Sequence, residues 1–259
     1  MIAVNLTYIR IELTRGFRDV PNLMFTFTLP VLMYLLFGRG KIADLPAGRG
    51  DMGFYFVVSL AAYGAVVAAT SISAQAASES MLGWGRQLGL TRQTPLGFIA
   101  NKAVEALVVG AVASGLVFGV GFVTGAKADS WWVWGATWGI GILGAALFGV
   151  YGLAMALLLK SESVVGITSG SVVFFAFFGN VFMPLEGVML DIARFTPMYG
   201  YVGLVRYPQL EGQVVTMSPS PANPPQTDSI WLLVGNYLVW TVIFVGLAVL
   251  GTRRSRTRQ

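Results

Sequence analysis

Six apolar stretches dominate the sequence, and each is close to the length that an α-helix needs to cross a bilayer. A helix rises about 1.5 Å per residue, so roughly 20 apolar residues cross the hydrocarbon core. The stretches cover residues 22–38, 52–72, 104–123, 131–159, 164–183 and 230–250. They predict an all-α membrane protein that forms one transmembrane domain over residues 1–259, with six transmembrane helices.

Two of the stretches depart from the ideal length. The first is short and contains Pro30, which predicts a kinked helix. The fourth, over residues 131–159, is longer than a single crossing needs, which predicts a tilted helix.

Composition supports a membrane environment and removes several kinds of chemistry. Hydrophobic residues make up 55% of the chain and charged residues only 11%, whereas soluble domains are about 25% charged. The chain has no Cys and no His, which removes thiolate chemistry, disulfides, Cys-based metal sites, the commonest metal ligand and the usual proton shuttle. We therefore expect this chain to be no enzyme and to carry no cofactor or metal. A net charge of +5 does not favour a nucleic-acid partner.

The basic residues are unevenly divided between the two sides of the six predicted spans. One side would hold Arg10, Arg15, Arg18, Arg86, Arg92, Lys102, Lys160, Arg253, Arg254, Arg256 and Arg258, and the other Arg39, Lys41, Arg49, Lys127, Arg194 and Arg206. Lys and Arg are enriched on the cytoplasmic side, and an even number of spans returns the chain to its starting side. Both termini are therefore predicted in the cytoplasm.

Residues 1–21 have the pattern of an interfacial helix. Apolar residues recur there at three- and four-residue spacing, at Ile2, Leu6, Ile9, Leu13 and Phe17. This spacing predicts an amphipathic helix that lies on the inner leaflet and offers its cations to anionic lipid. A simple anchoring role for the same helix stays open.

A polar segment over residues 79–95 joins the second and third predicted spans. A connection between helices needs only a few residues, so a segment of this length that ends at Pro95 favours a mechanical role. A solvated loop without a partner is the alternative. Lys102 and Glu105 follow it at a three-residue spacing, which predicts a local ion pair on the surface.

This segment resembles the corresponding part of the permeases of the ABC type-2 exporter family. In that family, a Glu, a Gly, a basic residue, a Leu and a Thr-Pro pair belong to a coupling helix that docks in a groove of the ATP-binding subunit. The matching residues are Glu79, Gly85, Arg86, Leu88, Thr94 and Pro95. A basic residue often follows the Glu in the family, whereas this chain has Ser80.

A second segment of the resemblance covers residues 184–207, between the fifth and sixth predicted spans. It is too polar to cross a membrane but is amphipathic around Thr196 and Pro197. The family has a re-entrant helical hairpin here that caps the translocation path on the outer side. Thr196, Pro197 and Arg206 correspond to its Thr-Pro pair and following Arg, as an outer gate. An interfacial loop without a gating role is the alternative.

The fifth span carries a set of Phe residues suited to an apolar wall. The resemblance implies a substrate path between two permeases that is bordered in part by this span, which makes Phe174, Phe178 and Asn180 candidate path residues. Gly166 and Gly170 in the same span would allow another helix to approach closely. Membrane Phe residues often simply face lipid, so a wall without substrate contact stays open.

The resemblance implies the membrane-spanning permease subunit of an ATP-driven exporter in a bacterial plasma membrane. The pattern Gly-x-x-x-x-Gly-Lys-Ser/Thr does not occur, because Lys41 is followed by Ile42. ATP and magnesium would therefore bind a separate ATP-binding cassette subunit. Other partners would be a second permease, identical or paralogous, membrane lipid, and a hydrophobic or amphipathic small molecule such as an antibiotic or lipid-like compound, as in drug efflux and antibiotic resistance.

Two other function classes were weighed. An ATP-independent channel or secondary transporter is the main alternative, although no carboxylate is predicted deep in a span, where an ion-coupled carrier usually needs one. An intramembrane enzyme is disfavoured because Asp44, Asp51 and Asp129 lie in outer loops, without the clustered carboxylates that a metal-dependent lipid transferase would use. The Pro-rich residues 217–229 are predicted to form an extracellular linker without regular structure.

Overall fold

A computed structural model describes residues 6–16, 24–79, 95–159, 163–216 and 226–256, and within these ranges the chain is mostly helical. The α-helices are α1 Leu6–Gly16, α2 Leu29–Phe37, α3 Met52–Glu79, α4 Pro95–Val123, α5 Trp131–Gly144, α6 Ala146–Leu159, α7 Val164–Phe178, α8 Val188–Ala193, α9 Pro197–Leu210 and α10 Ile230–Arg256. A π-helix, Met24–Thr28, precedes α2. Two short antiparallel strands, β1 Gln213–Val214 and β2 Gln226–Thr227, precede α10.

Four helical segments are long and apolar enough to cross a membrane. They are Met52–Ala76, Ala100–Val123, Trp131–Leu159 and Ile230–Gly251. Two shorter apolar helices, Thr26–Phe37 and Val164–Phe178, lie where the first and fifth spans are predicted. A helical membrane protein is therefore confirmed, and membrane crossing by the two shorter helices stays a prediction.

The helix ends differ from the apolar limits of the sequence. Helix α3 continues past Ile72 to Glu79, and α4 begins at Pro95 before the first predicted apolar residue, Val104. Ala, Ser and Gln residues that interrupt an apolar run are still compatible with helical hydrogen bonds. Helix α7 ends early at Phe178, because the chain turns at Asn180 with a positive φ of 63°.

Helix α3 forms the centre of the bundle. Its membrane-length segment Met52–Ala76 is buried over its whole most apolar window, and it packs on α2, α4, α5, α6, α7 and α9. A helix that is apolar on all sides is typical of such a buried position. Its polar residues do not break this environment, because the Ser71 hydroxyl donates to the carbonyl of Ala68 and the Thr70 hydroxyl to that of Phe148.

Small residues let the neighbouring helices approach α3 closely. A Cβ atom added at Gly121 of α4 would come within 2.2 Å of Val57, and one added at Gly152 of α6 within 2.3 Å of the Thr70 carbonyl oxygen. Because helices in lipid gain little from the hydrophobic effect, this close van der Waals packing is a main source of their association.

The fourth predicted span is one membrane-length apolar segment, Trp131–Leu159, with an irregular residue at Ala145, and its tilt stays a prediction. Helix α5 ends at Gly144, and α6 begins at Ala146. The backbone carbonyls at the break are satisfied by two hydroxyls, since Tyr201 donates to Gly141 at 2.7 Å and Tyr237 donates to Gly144 at 3.1 Å. Such satisfaction is what allows a helix to be interrupted among apolar groups.

The kink predicted at Pro30 stays a prediction. Pro30 lies in the first turn of α2. The irregular part of this segment is the π-helix Met24–Thr28 before it.

Three connecting segments meet at one end of the bundle, which we name the capped end: residues 38–51, 124–130 and 208–212. The Asp51 carboxylate accepts hydrogen bonds from the N–H of Phe54, in the first turn of α3, at 2.7 Å and from the N–H of Lys127 at 2.9 Å. The Arg49 N–H donates to the carbonyl of Gln209 at 2.8 Å. The capped end is therefore cross-linked by backbone and buried side-chain hydrogen bonds.

The expected linker is only partly without regular structure. Within residues 217–229, Gln226 and Thr227 form β2 and pair with β1, while residues 217–225 lie outside the described residues. Asp228 N–H then donates to the Gly212 carbonyl at 2.8 Å, which fixes the entry to α10 at the capped end.

We predict that Gly152→Ala destabilises the bundle. The new Cβ would overlap the Thr70 carbonyl oxygen and push α6 away from α3, at a cost of about 1–3 kcal/mol. Thermal unfolding of the purified protein in detergent measures the effect. Gly139→Ala in α5 is the matched control, because no atom lies within 4 Å of its added Cβ. Equal unfolding temperatures of the two variants would contradict the close packing.

Candidate functional site

The predicted coupling residues lie mostly outside the described residues. Gly85, Arg86, Leu88 and Thr94 fall in residues 80–94, which the structure does not describe. Glu79 is the last residue of α3 and Pro95 the first of α4. The coupling prediction therefore stays a prediction that rests on the sequence.

A buried charge cluster holds α1 against the start of α4. The Lys102 ammonium lies 2.6 Å from the Glu12 carboxylate of α1 and 3.1 Å from that of Glu105, and all three side chains are at most 7% exposed. The prediction of a surface pair is wrong, because the side chains of Lys102 and Glu105 are only 5% exposed and Lys102 also pairs with Glu12, which is distant in sequence. Charges taken out of water are stable only when paired, so this cluster fixes the position of α1.

The predicted path residues separate into two places. Phe174 is 60% exposed on α7, and its ring lies 4.6 Å from that of Phe178. Asn180 follows the end of α7, and its side chain is buried, where Oδ1 accepts the N–H of Leu185 at 2.9 Å. The two Phe rings thus belong to an outward face, whereas Asn180 supports a turn.

The exposed face of α7 extends beyond the two rings. Phe177 is 53% exposed, and its ring packs 4.7 Å from that of Phe182. No atom of the described residues lies within 4 Å of a Cβ added at Gly166 or Gly170. The close helix approach expected at these glycines does not occur among the described helices.

The predicted gate residues Thr196 and Pro197 begin α9. The Thr196 hydroxyl accepts the N–H of Tyr199 at 3.3 Å, which caps the helix, and Pro197 occupies its first position. The carbonyl of Thr196 in turn accepts a hydrogen bond from Asn236 of α10 at 3.2 Å. Helix α10 thereby holds the start of α9.

Arg206, the third predicted gate residue, lies more than two turns further along α9 and is 5% exposed. Its Nε and Nη2 donate to the Ser59 hydroxyl at 2.8 and 2.6 Å, and Nη2 also donates to the Asn180 carbonyl at 2.7 Å. Its guanidinium carbon lies 4.0 Å from the centre of the Tyr55 ring. Arg206 thus joins α3, the end of α7 and α9.

A second polar cluster lies beside the start of α9. The Asp228 carboxylate accepts a hydrogen bond from Arg194 at 2.9 Å and another from the Tyr199 hydroxyl. Burial raises the pKa of Tyr199, and the bond to Asp228 raises it further, so the phenol keeps its proton. Burial lowers the pKa of Arg194, but Asp228 and Tyr199 outweigh it, so the pKa lies above its ordinary value.

Sequence reasoning missed Tyr55, Ser59, Tyr199 and Asp228. Tyr55 and Ser59 are four residues apart and therefore share one face of α3. This spacing is the only sequence signal that the two side chains lie close enough to contact the same residue. Nothing in the sequence connects Asp228 to Arg194. Within the part of the chain that the structure describes, no group of three His, Cys, Asp or Glu residues could hold a metal ion.

Comparison with known proteins adds no family to this geometry. The sequence matches no family model and no curated protein.

We predict that Lys102→Met strongly destabilises the α1 end of the bundle. The change leaves the carboxylates of Glu12 and Glu105 buried without their cation, at a cost of about 3–5 kcal/mol. Denaturant titration gives the stability, and protease cleavage within α1 reports its release. Lys127→Met, at an exposed position of the capped end, should change stability by no more than about 0.5 kcal/mol. Equal losses in the two variants would show that the cluster does not anchor α1.

Proposed function

We propose that the chain is the membrane-spanning permease subunit of an ATP-driven exporter, with ATP and magnesium bound by a separate ATP-binding cassette subunit. Two such permeases, identical or paralogous, would pair in a bacterial plasma membrane, each with six spans and cytoplasmic termini. The cargo would be a hydrophobic or amphipathic small molecule, such as an antibiotic or a lipid-like compound.

The observation that carries the proposal is the place of segment 79–95 in the chain. It joins α3, the helix buried among its neighbours, to α4, which packs closely on α3. In the proposed mechanism, closure of the ATP-binding subunits would push the coupling residues of this segment, Glu79, Gly85, Arg86, Leu88, Thr94 and Pro95. A displacement there would reach the bundle centre directly. The free energy for transport would come from the different affinities of the two conformational states of the exporter for nucleotide.

The start of α9 is the outer gate of the proposal. The carbonyls of Phe195 and Thr196 bond to Trp240 and Asn236, which lie about 15 and 9 Å along α10 from Ile230. A turn at that distance from the capped end supports a hairpin of α8 and α9 that re-enters the membrane from outside. Arg206 would then hold α9 to the centre of the bundle while the turn at Thr196 and Pro197 moves.

The substrate path of the proposal runs along the Phe face of α7. Phe174 is exposed on the outside of the described chain, and its ring lies against that of Phe178 at an angle of 42°, where a second permease could close the path. Polarisable aromatic walls suit an amphipathic cargo. Asn180 would border the path through the turn that it forms, and not through its buried side chain.

We predict that replacing residues 80–94 by a Gly/Ser chain of equal length uncouples the two subunits. The permease should still insert and pair, but stimulation of the partner ATPase by cargo should disappear, and transport into inside-out vesicles should fall to background. The same replacement of residues 217–225 is the control, because the strands on either side of this segment, β1 and β2, lie near the capped end, on the side away from the proposed ATPase. Undiminished transport by the first variant would reject the mechanism. Uphill transport by the purified chain alone, driven by an ion gradient, would favour the secondary-transporter alternative.

We predict that Phe174→Ala weakens cargo recognition. Loss of one aromatic contact is worth about 0.5–1.5 kcal/mol, so the KM for a hydrophobic cargo should rise about two- to tenfold. Phe122→Ala is the control, because Phe122 is also exposed, at 57%, but on α4. If both variants change KM equally, general lipid exposure and not a path explains the Phe face.

A further inference from the structure

A single carboxylate holds both sides of the α8–α9 turn, which we define as residues 194–199. The Asp228 carboxylate accepts a hydrogen bond at 2.9 Å from Arg194, directly after α8, and another from the hydroxyl of Tyr199, in the first turn of α9. The two bonds use different oxygens of the carboxylate. Because the N–H of Asp228 donates to the Gly212 carbonyl at 2.8 Å, Asp228 ties the turn to the segment that leads into α10.

The α8–α9 turn has a small apolar cluster of its own, separate from the main core of the bundle. The buried members of this small cluster are Leu190, Ala193, Tyr199 and Leu233. Regions with few buried apolar contacts open locally at a lower free energy than the whole protein unfolds. The small cluster can therefore be disrupted while the main core stays packed.

Helix α9 changes its packing partners just after the turn. Tyr199 belongs to the small cluster, whereas Tyr201 lies in the main core and its hydroxyl donates to the Gly141 carbonyl at 2.7 Å. Further along α9, Arg206 is bonded to α3 and to the end of α7. Gly200 separates the two parts of the helix, and small residues at the ends of elements often serve as hinges. The turn can therefore move while the remainder of α9 stays in place.

Other hydrogen bonds also hold the turn to α10, but they are neutral. The Asn236 side chain donates to the carbonyls of Arg194 and Thr196, and the Trp240 indole donates to the carbonyl of Phe195. Hydrogen bonds that involve an ionised group are roughly twice as strong as neutral ones. The carboxylate of Asp228 is therefore expected to contribute more to closure of the turn than any one of these bonds.

An open cavity lies beside this carboxylate. Tyr199, Asp228 and Val214 are part of its lining. Space at this position lets water replace the hydrogen bonds of the carboxylate when the turn moves away, and such replacement makes opening reversible.

We propose that Asp228 is the latch of the α8–α9 turn. When its bonds to Arg194 and Tyr199 break, the turn opens as a local unit, and this opening releases cargo on the outer side. The release step rests on the proposed function, whereas the opening does not. Asp228 is a positioning residue that sets how often the turn opens, and it does not contact cargo.

The test is cysteine labelling of the purified full chain in detergent, because the chain has no native Cys. Ala193→Cys places one thiol in the small cluster, where Ala193 is fully buried, so a maleimide reacts only when the turn opens. Asp228→Asn keeps the size of the side chain but replaces one acceptor oxygen by an NH₂ group, so one bond to the turn is lost. We expect the labelling rate to rise about tenfold or more.

Tyr199→Phe is the second variant. It keeps the ring in the small cluster and the ion pair between Asp228 and Arg194, and it removes only the hydroxyl bond. The labelling rate at Ala193→Cys should rise, but less than in Asp228→Asn. An unchanged rate in either variant overturns the proposal.

Two controls separate a latch from a general loss of stability. Asp191→Asn removes the other carboxylate paired with Arg194, which is 68% exposed, so the labelling rate should change by no more than about twofold. Ala61→Cys, in the buried centre of α3, reports unfolding of the whole bundle and should label no faster in Asp228→Asn. An equal rise at both thiols would show a purely structural role and overturn the proposal.

The release step is tested with the partner ATPase present and with transport of a hydrophobic dye measured in parallel. ATP should raise the labelling rate at Ala193→Cys, and the Gly/Ser replacement of residues 80–94 should abolish this rise. A rate that does not respond to ATP while the dye is transported overturns the release step. Absence of ATP-driven transport would contradict the proposed function instead, and the labelling rates of the chain alone would still decide whether Asp228 is a latch.

Discussion

The burial of the most apolar part of α3 on all sides is the constraint on which the rest of the structure depends. A helix with no lipid-facing side must be surrounded, so its neighbours need close approach and its polar groups need partners within the protein. Gly121 and Gly152 supply the approach. The Thr70 hydroxyl donates to the Phe148 carbonyl, and the Ser59 hydroxyl accepts from the Arg206 guanidinium. The other helices form a shell whose arrangement follows the surface of this one helix.

The two ends of the bundle are held by different forces. At the capped end, hydrogen bonds of the Asp51 carboxylate and the Gln209 side chain tie connecting segments together, and the ion pair between Arg49 and Glu211 is exposed to solvent. At the other end, α1 is fixed by the charge of Lys102 alongside two carboxylates. Under the proposed mechanism this asymmetry is useful, because the force of a partner would enter beside the charged end and be resisted at the hydrogen-bonded one.

The sequence predicts the helical membrane class well, because the thickness of hydrocarbon fixes the length of an apolar run. It predicts helix ends and breaks poorly, since the break at Ala145 depends on hydroxyls of Tyr201 and Tyr237 that come from distant helices. The candidate site is predicted incompletely for the same reason. The spacing of Lys102 and Glu105 predicts their pairing, but no local pattern reveals that the pair is buried and that Lys102 also contacts Glu12 of α1.

The motif that predicts Arg206 as a site residue does not predict the contacts of its side chain. These contacts are made with Tyr55, Ser59 and Asn180. The link that Arg206 forms between α3, the end of α7 and α9 accounts for the hydrogen bonds that it donates to Ser59 and to the Asn180 carbonyl. An apolar side chain of similar size could pack at this position at no greater cost in stability.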